Sequence, residues 1–446
     1  MNDPTACDAG MPDQALHSAY RRTAWRIIPL LILCYLVAYL DRVNVGFAKL
    51  QMLDDLNFSA AVYGMGAGIF FVGYLMFEIP SNIALHRFGA RRWIARIMMT
   101  WGLLSAAMMF VETPTSFYVL RFFIGVAEAG FFPGIIFYLT TWFPAHRRGT
   151  MISLFIAALP ISSLLGSVIS GVIMQHMNGV AGYAGWQWLF VIEGLPAVVL
   201  GVAVLFWLRD RICDAPWLSA HEKNAMQAAL DREAQHKPGH SLRDGLLNPK
   251  IWLLGAVYFC LVLGQYVINF WMPTIIKDSG VAQPWAIGAL SAIPYAAAAV
   301  SMVLVGCSSD RRREYRWHLA ICACVGAGGV VFGTLLGSNL VLAMIGLTIG
   351  TAAMISSLPV FWGMPTAVVG GAAAAAGIAL INSLGNVAGF VSTIVVGWIT
   401  QLTGSTQMAM YFMAGVLVLG GLLGLVVSRS DAPMTARAKR PVVQRG

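Results

Sequence analysis

Charge is what this sequence has least of. Charged residues make up 11% of its 446 positions, where soluble domains carry about a quarter. With 58% hydrophobic residues and a mean hydropathy of +0.72, a soluble globular domain is excluded. Several other signals are missing as well. There are no ~10-residue segments of alternating hydrophobicity, which excludes a membrane β-barrel. No GxxxxGK[ST] loop occurs, which argues against ATP-driven chemistry. The eight histidines lie in loops or near the ends of apolar runs, away from carboxylates, so neither a metal cluster nor an activated nucleophile is expected. That reading predicts no enzyme, no metal and no cofactor. None of the seven cysteines (Cys7, Cys34, Cys213, Cys260, Cys307, Cys322, Cys324) falls in an outer loop, which argues against a disulfide framework. Cys322 and Cys324 are about 200° apart on a helix, unsuited to sharing a metal.

What is present is a series of long apolar runs, at about residues 25–47, 62–85, 93–111, 117–138, 149–174 and 186–208, and again at 251–276, 284–305, 317–336, 340–362, 367–400 and 408–427. Each is long enough to cross ~30 Å of hydrocarbon as a helix. The sequence predicts an all-α membrane protein of twelve transmembrane helices in two six-helix halves, residues 25–208 and 251–428. Between them, residues 209–250 hold 13 charged residues and read as a cytoplasmic linker, partly helical by its Ala, Glu and Gln content. Residues 1–24 and 429–446 read as cytoplasmic ends, and no cleavage site follows the first run, so no removable signal peptide is expected.

The net charge of +9 does not point to nucleic acid. Of 29 Lys and Arg, 25 fall at one set of alternate helix ends, the positive-inside pattern, which predicts that both termini are cytoplasmic. Lys49 and Lys277 are assigned to the opposite, outer loops. Arg42 and Arg121 lie within spans.

A charge at the centre of a membrane helix costs roughly 2.5–3.5 kcal/mol even on lenient scales. Four groups are kept despite that cost: Asp41 and Arg42 late in the first run, and Arg121 and Glu128 two turns apart in the fourth. Counting 1.5 Å per residue puts Asp41 ~21 Å from the cytoplasmic edge, Arg121 ~6 Å below the outer edge, and Glu128 near mid-depth. Asp41 and Arg121 are therefore expected to meet. One reading of that meeting is a buried ion pair tying two helices together. The other is that the planar Arg121 fork is held for a carboxylate ligand. Arg42 is a second candidate ligand for the anion, although it points ~100° from Asp41 on the same helix. Asp41 and Glu128 are candidate proton carriers, being carboxylates buried near arginines. Glu78 and Glu193, close to span ends, read as structural.

The second half has no Asp, Glu, Lys or Arg in mid-span. Its polar groups are neutral: Gln265, Tyr266, Asn269, Tyr295, Ser356, Ser357, Asn382 and Asn386. Each suits ordinary interhelical hydrogen bonding. As a set facing the charged half, Gln265, Tyr266, Asn269, Asn382 and Asn386 suit the hydroxyls or ring of an organic anion at the midplane, with Tyr74 and Trp362 as aromatic walls.

The turn after the eighth run reads GCSSDRRRE from Gly306, and the turn after the second reads NIALHRFGARR from Asn82. The pair resembles the G-x-x-x-D-R-x-G-R/K-R/K pattern of the major facilitator superfamily. The second copy keeps Gly306, Asp310 and Arg311. The first keeps Arg87, Gly89 and Arg91 but has Asn82 and His86 where the pattern has Gly and Asp. The resemblance implies a cytoplasmic gate at these turns, and His86 or a neighbour is expected to stand in for the absent acid. The phrases YLDRVNVGFA (from Tyr39), FFVGYLMFEIPSN (from Phe70), RFGARRWIAR (from Arg87) and LRFFIGVAEAGFFPG (from Leu120) together resemble the anion:cation symporter family, whose bacterial members carry tartrate, galactonate, phthalate or hydroxyphenylacetate. The resemblance covers all twelve runs. It implies substrate contacts at Arg42 and Arg121 and coupling protons at Asp41 and Glu128.

The expectation is a monomeric, multi-pass protein of a bacterial inner membrane that takes up a small organic carboxylate together with protons. Its partners would be the lipid bilayer, the anion and protons. An exchanger or exporter on the same scaffold is the near alternative. A transport-inactive sensor is the distant one, and a linker of about 40 residues is small for an output domain.

Overall fold

The computed structural model describes residues 13–235, 248–364 and 371–427. The expected tail at 429–446, the first twelve residues and the start of the eleventh run at 367–370 lie outside the described residues. Fifteen α-helices follow one another in the described chain, in chain order α1 Asp13–Leu56, α2 Ala60–Phe88, α3 Ala90–Ala107, α4 Pro114–Glu128, α5 Phe131–Thr140, α6 Ala145–Ile156, α7 Ala158–His176, α8 Gly185–Trp207, α9 Ala220–Gln235, α10 Pro249–Asp278, α11 Pro284–Arg312, α12 Arg316–Leu335, α13 Leu340–Gly363, α14 Gly371–Thr403 and α15 Gln407–Val427. They supply 12 stretches long and apolar enough to cross a membrane, with α4–α5 and α6–α7 each forming one of them. α9 lies within the polar connection and packs on α1, where Arg22 pairs with Glu222 at the surface.

Two features depart from the sequence reading. α1 begins at Asp13 and continues to Leu56, well past the predicted 25–47. Lys49 is therefore a buried helical residue, not part of an outer loop. The polar run around Asp54 and Asp55 hides the last turns of this helix, which stop where Asn57 takes φ +54° and Ser59 caps α2 by accepting from the Val62 N–H. The fourth span is also broken. α4 starts in a Thr113–Ser116 capping box with Pro114 in the first turn and ends at Glu128. Gly130 then takes a left-handed conformation (φ +84°) before α5 begins, a conformation that suits a residue lacking Cβ.

Glycines decide how closely the helices approach. α2 and α4 cross at Gly73 and Gly125, where a Cβ would press on the backbone of Phe122 or Phe70. That crossing puts Phe70 and Tyr74 beside Arg121 and Glu128. The two halves meet along three seams at the end opposite the arginine-rich turns: Gly46 of α1 against the Asn269 and Phe270 backbone, Gly64 of α2 against Thr393 and Gly397, and Gly171 of α7 against Gly288. The protein is thus closed at the end opposite the arginine-rich turns, the outer end on the orientation expected from the sequence.

A Cβ on Gly171 would lie 2.7 Å from the Pro284 carbonyl oxygen and 3.0 Å from the Gly288 Cα. Gly171→Val should therefore hold the α7–α11 seam apart while each half still folds. The expected outcome is at least a tenfold loss of substrate counterflow in proteoliposomes with normal accumulation in the membrane. Unimpaired counterflow would show that this seam is not part of the outer closure.

Candidate functional site

The broken fourth span sets the centre of the site. Glu128 is the last residue of α4, where the helix's terminal carbonyls already concentrate negative charge. A carboxylate there needs a cation, and Arg42 of α1 supplies it: its Nη2 bonds to Glu128 Oε1. Both side chains are largely removed from solvent, Arg42 at 14% and Glu128 at 3% exposure. Arg42 Nη1 donates to Tyr266 Oη of α10 at 3.4 Å, so one guanidinium joins the charged half to the neutral half. Its face lies over two rings of α2, with 5.4 Å to the centroids of both Phe70 and Tyr74.

Arg121 also lies over Phe70, 5.0 Å from the same ring centroid. It is 1% exposed. Its Nε donates to the Gly66 carbonyl at 3.4 Å, while Nη2 is buried without a hydrogen-bond partner. Asp41 does not pair with it, contrary to the sequence expectation. Asp41 Oδ1 instead accepts from Asn44 Nδ2 at 3.0 Å and from Ser105 Oγ of α3. The error has a geometric cause: counting residues fixes depth along a helix, whereas the partner is chosen by the direction around it. The ~100° between Asp41 and Arg42 sends one toward α3 and the other toward α4. Glu193 of α8 lies in the same N-terminal interior and accepts from Ser170 Oγ at 2.7 Å.

The neutral groups divide. Gln265 Nε2 donates to Tyr39 Oη at 3.1 Å, and Asn269 Nδ2 donates to the same oxygen. Tyr295 Oη in turn donates to Asn269 Oδ1 at 2.9 Å. Asn382 Nδ2 donates to Glu78 Oε1 at 3.2 Å, which gives that acid an interhalf contact. Asn386 is buried on the same helix as Asn382. Trp362 stands with Tyr258, their centroids 5.2 Å apart, and Tyr258 stacks on Phe361 at 4.9 Å. This aromatic wall belongs to α10 and α13, apart from the Phe70–Tyr74 wall of α2. Tyr39, Phe70 and Ser105 were not singled out in the sequence. Tyr39 was the most findable, lying three residues before Arg42 on one helical face.

At the Arg-rich turns, His86 packs its ring on Phe137, 4.0 Å between centroids. The carboxylate at the first turn comes from elsewhere. Asp210, just after α8, accepts from the Arg91 N–H at 2.8 Å and lies against Gly89, which takes φ +87°. Arg87 is exposed on that turn. In the second copy Asp310 accepts from Tyr315 Oη at 3.1 Å, Gly306 faces open space, and Arg311 is exposed. Among the described residues no cluster of His, Cys, Asp and Glu has a metal-holding arrangement.

This arrangement gathers two guanidiniums and two carboxylates inside the first half, with Arg42 reaching Tyr266 of the second, and so puts fixed positive charge beside titratable carboxyls. Comparison with known proteins agrees with a carrier. A Pseudomonas putida protein named "Putative metabolite transport protein NicT" is 50% identical over 415 residues, 92% of this chain and 94% of its own length. An Agrobacterium vitis protein named "Putative tartrate transporter" is 48% identical over 95% of this chain and 98% of its own. A "Quinolone resistance transporter" of Acinetobacter baumannii is 40% identical over 91% and 94%. Among solved structures, a bacterial homologue of the human lysosomal transporter Spinster, inward-facing and unoccupied, superposes with a TM-score of 0.75 at 16% identity, covering 92% of this chain and 97% of that one. The profile of the Major Facilitator Superfamily matches residues 31–393. The chain belongs to that superfamily: it is a multi-pass membrane transporter, not an enzyme.

Proposed function

We propose that this transporter takes up a small organic carboxylate across a bacterial inner membrane together with protons. The observation that carries this reading is the competition built into Arg42. Its Nη2 is held by Glu128, so a substrate carboxylate that pairs with Arg42 competes with Glu128 for the same positive charge, and protonation of Glu128 removes that competitor. Anion binding and proton binding are then linked through one side chain. Arg121 provides a second, standing attraction because part of its fork has no partner in the protein. Phe70 is shared by the two guanidiniums, and Tyr39, Tyr266 and the α10 amides line the neutral side for hydroxyls or a ring. Asp41, hydrogen-bonded to Asn44 and Ser105, is the second proton carrier.

A second reading is export. A relative at 40% identity is named for quinolone resistance, and the same anion site serves either direction. A thermal-shift panel on purified protein containing tartrate, galactonate, phthalate and a quinolone separates the substrates. A true ligand at a hundred times its Kd stabilises by about 2.7 kcal/mol. We expect a carboxylate from the first three to give the largest shift. A quinolone-only response would favour the second reading.

Arg121→Lys keeps the charge and loses the planar fork. Substrate affinity is expected to fall by roughly tenfold to a hundredfold, on the ~1.5–3 kcal/mol scale of charge-assisted hydrogen bonds, while the protein still inserts and folds. Near-normal affinity by calorimetry would leave Arg121 as a packing element.

Glu128→Gln imitates the protonated carboxyl permanently. This variant should bind substrate and perform counterflow, which moves no net proton, yet fail to accumulate substrate against a gradient driven by pH. Asp41→Asn should show the same split more weakly, since its carboxylate does not hold an arginine. Full pH-driven accumulation by Glu128→Gln would remove that residue from the coupling.

A further inference from the structure

One buried cation has no place in the site described above. Lys49 lies on α1 eight residues beyond Asp41, ~12 Å farther toward the outer end. It is 5% exposed. Its Nζ has no hydrogen-bond partner and lies 3.1 Å from the centroid of the Trp271 ring and 4.7 Å from that of Tyr63. Trp271 belongs to α10 and Tyr63 to α2, so the ammonium sits in the outer seam between the halves. Tyr63 Oη donates across the same seam to the Phe270 carbonyl at 3.2 Å, and the two rings meet edge to face at 5.6 Å. Asp278 is the nearby carboxylate whose field reaches Lys49, without pairing with it. Lys277 donates to the Leu50 carbonyl at 3.0 Å and lies 3.8 Å from Asp54, while Asp278 accepts from Thr406 at 3.4 Å.

A desolvated ammonium over aromatic faces gains ~2 kcal/mol or more, which offsets only part of the several kcal/mol lost on leaving water. Closing the outer end therefore confines a cation that has Asp278 nearby but makes neither an ion pair nor a hydrogen bond. Opening it must part α1 from α10 and lift Lys49 from Trp271. Released into the open vestibule, the ammonium is hydrated and mobile, and its charge is placed to attract an anion arriving from outside. Tyr63, one turn from the Gly66 carbonyl that anchors Arg121, puts the second under-satisfied cation next along the same helix.

We propose that Lys49 is an anion-capture residue of the outward-open state, which takes the carboxylate of the entering organic anion and hands it inward to Arg121. This deepens the carboxylate-uptake reading and rests on it. It assigns Lys49 to outer-face affinity, separate from the central site that both faces share.

The test compares the two faces of the membrane. Uptake of labelled tartrate, or of galactonate or phthalate if the thermal-shift panel ranks one of them higher, is measured in right-side-out and in inverted vesicles. Lys49→Met keeps the length and apolar stem of the side chain and removes the charge. Its KM should rise about tenfold at the outer face, the low end of the effect of electrostatic focusing, and stay unchanged at the inner face. Lys49→Arg should restore the outer value. Equal KM shifts at both faces, or none at either, would overturn the proposal while leaving carboxylate transport intact. If Lys49→Met does not accumulate in the membrane, Lys49→Gln replaces it. Failure of both to accumulate, with Lys49→Arg stable, would make Lys49 a packing element and likewise overturn its capture role. A wild-type protein that neither binds nor carries any acid of the panel would instead overturn the carboxylate reading, and the proposal with it.

Discussion

The ion pair between Arg42 and Glu128 constrains most of what surrounds it. Two charges taken out of water are poorly repaid by their mutual attraction unless geometry and further hydrogen bonds complete the arrangement. Here the arrangement includes Tyr266, the faces of Phe70 and Tyr74, and the close α2–α4 crossing at Gly73 and Gly125 that brings those rings within reach. Glu128 ends its helix segment because Gly130 breaks the span there. A straight helix would continue past Glu128 and offer no break at the depth where the site lies. The break, the glycine crossing and the pair thus form one unit. A bigger residue at Gly125 would disturb the guanidinium through the backbone of Phe70, without touching either charge.

The architecture was readable from the sequence because the bilayer leaves few alternatives. Runs long enough to span, basic residues at alternate ends, and a charged first half set against a neutral second half are all one-dimensional signals. Pairing is not. Residue counting placed Asp41 and Arg121 at similar depth and so together, but the side chains diverge around their helices. Asp41 turns to Ser105, and Arg42 takes Glu128. Lys49 was assigned to a loop because polar residues after Leu50 masked the helix that continues to Leu56. Asp210 was invisible as the acid of the first cytoplasmic turn because it is over a hundred residues away in the chain and reaches that turn only through the fold. The neutral set is legible as a group, yet nothing in one sequence pairs it with Tyr39 or with Glu78.

The seams between the halves show a second economy. Gly46, Gly64, Gly171 and Gly288 let backbones touch, which gives van der Waals contact without interlocking side chains that would resist separation. Polar contacts across the same plane include neutral ones, Tyr39 with the α10 amides and Tyr63 with a carbonyl, and ones with a charged member, Arg42 with Tyr266, Glu78 with Asn382 and the solvent-exposed Lys277–Asp54 pair. Lys49 differs from these, a buried charge in the seam set against rings.

This distribution fits what alternating access demands of an interface. A carrier must part its halves once per cycle, and a charge pair split between them would have to be broken and resolvated each time. Neutral side-chain hydrogen bonds in membrane average ~0.6 kcal/mol and separate at little cost. Arg42 and Glu128 lie in the same half, as do Asp41 and Ser105, so parting the halves does not by itself break those contacts. On the proposed function, the neutral second half is then a mechanical requirement as much as a chemical one: it would close over the anion through Tyr266, Gln265 and Asn269 and release it without a counter-charge of its own at the site. A carboxylate substrate held by Arg42 and Arg121 would then travel with the half that binds it, while the other half only covers and uncovers it.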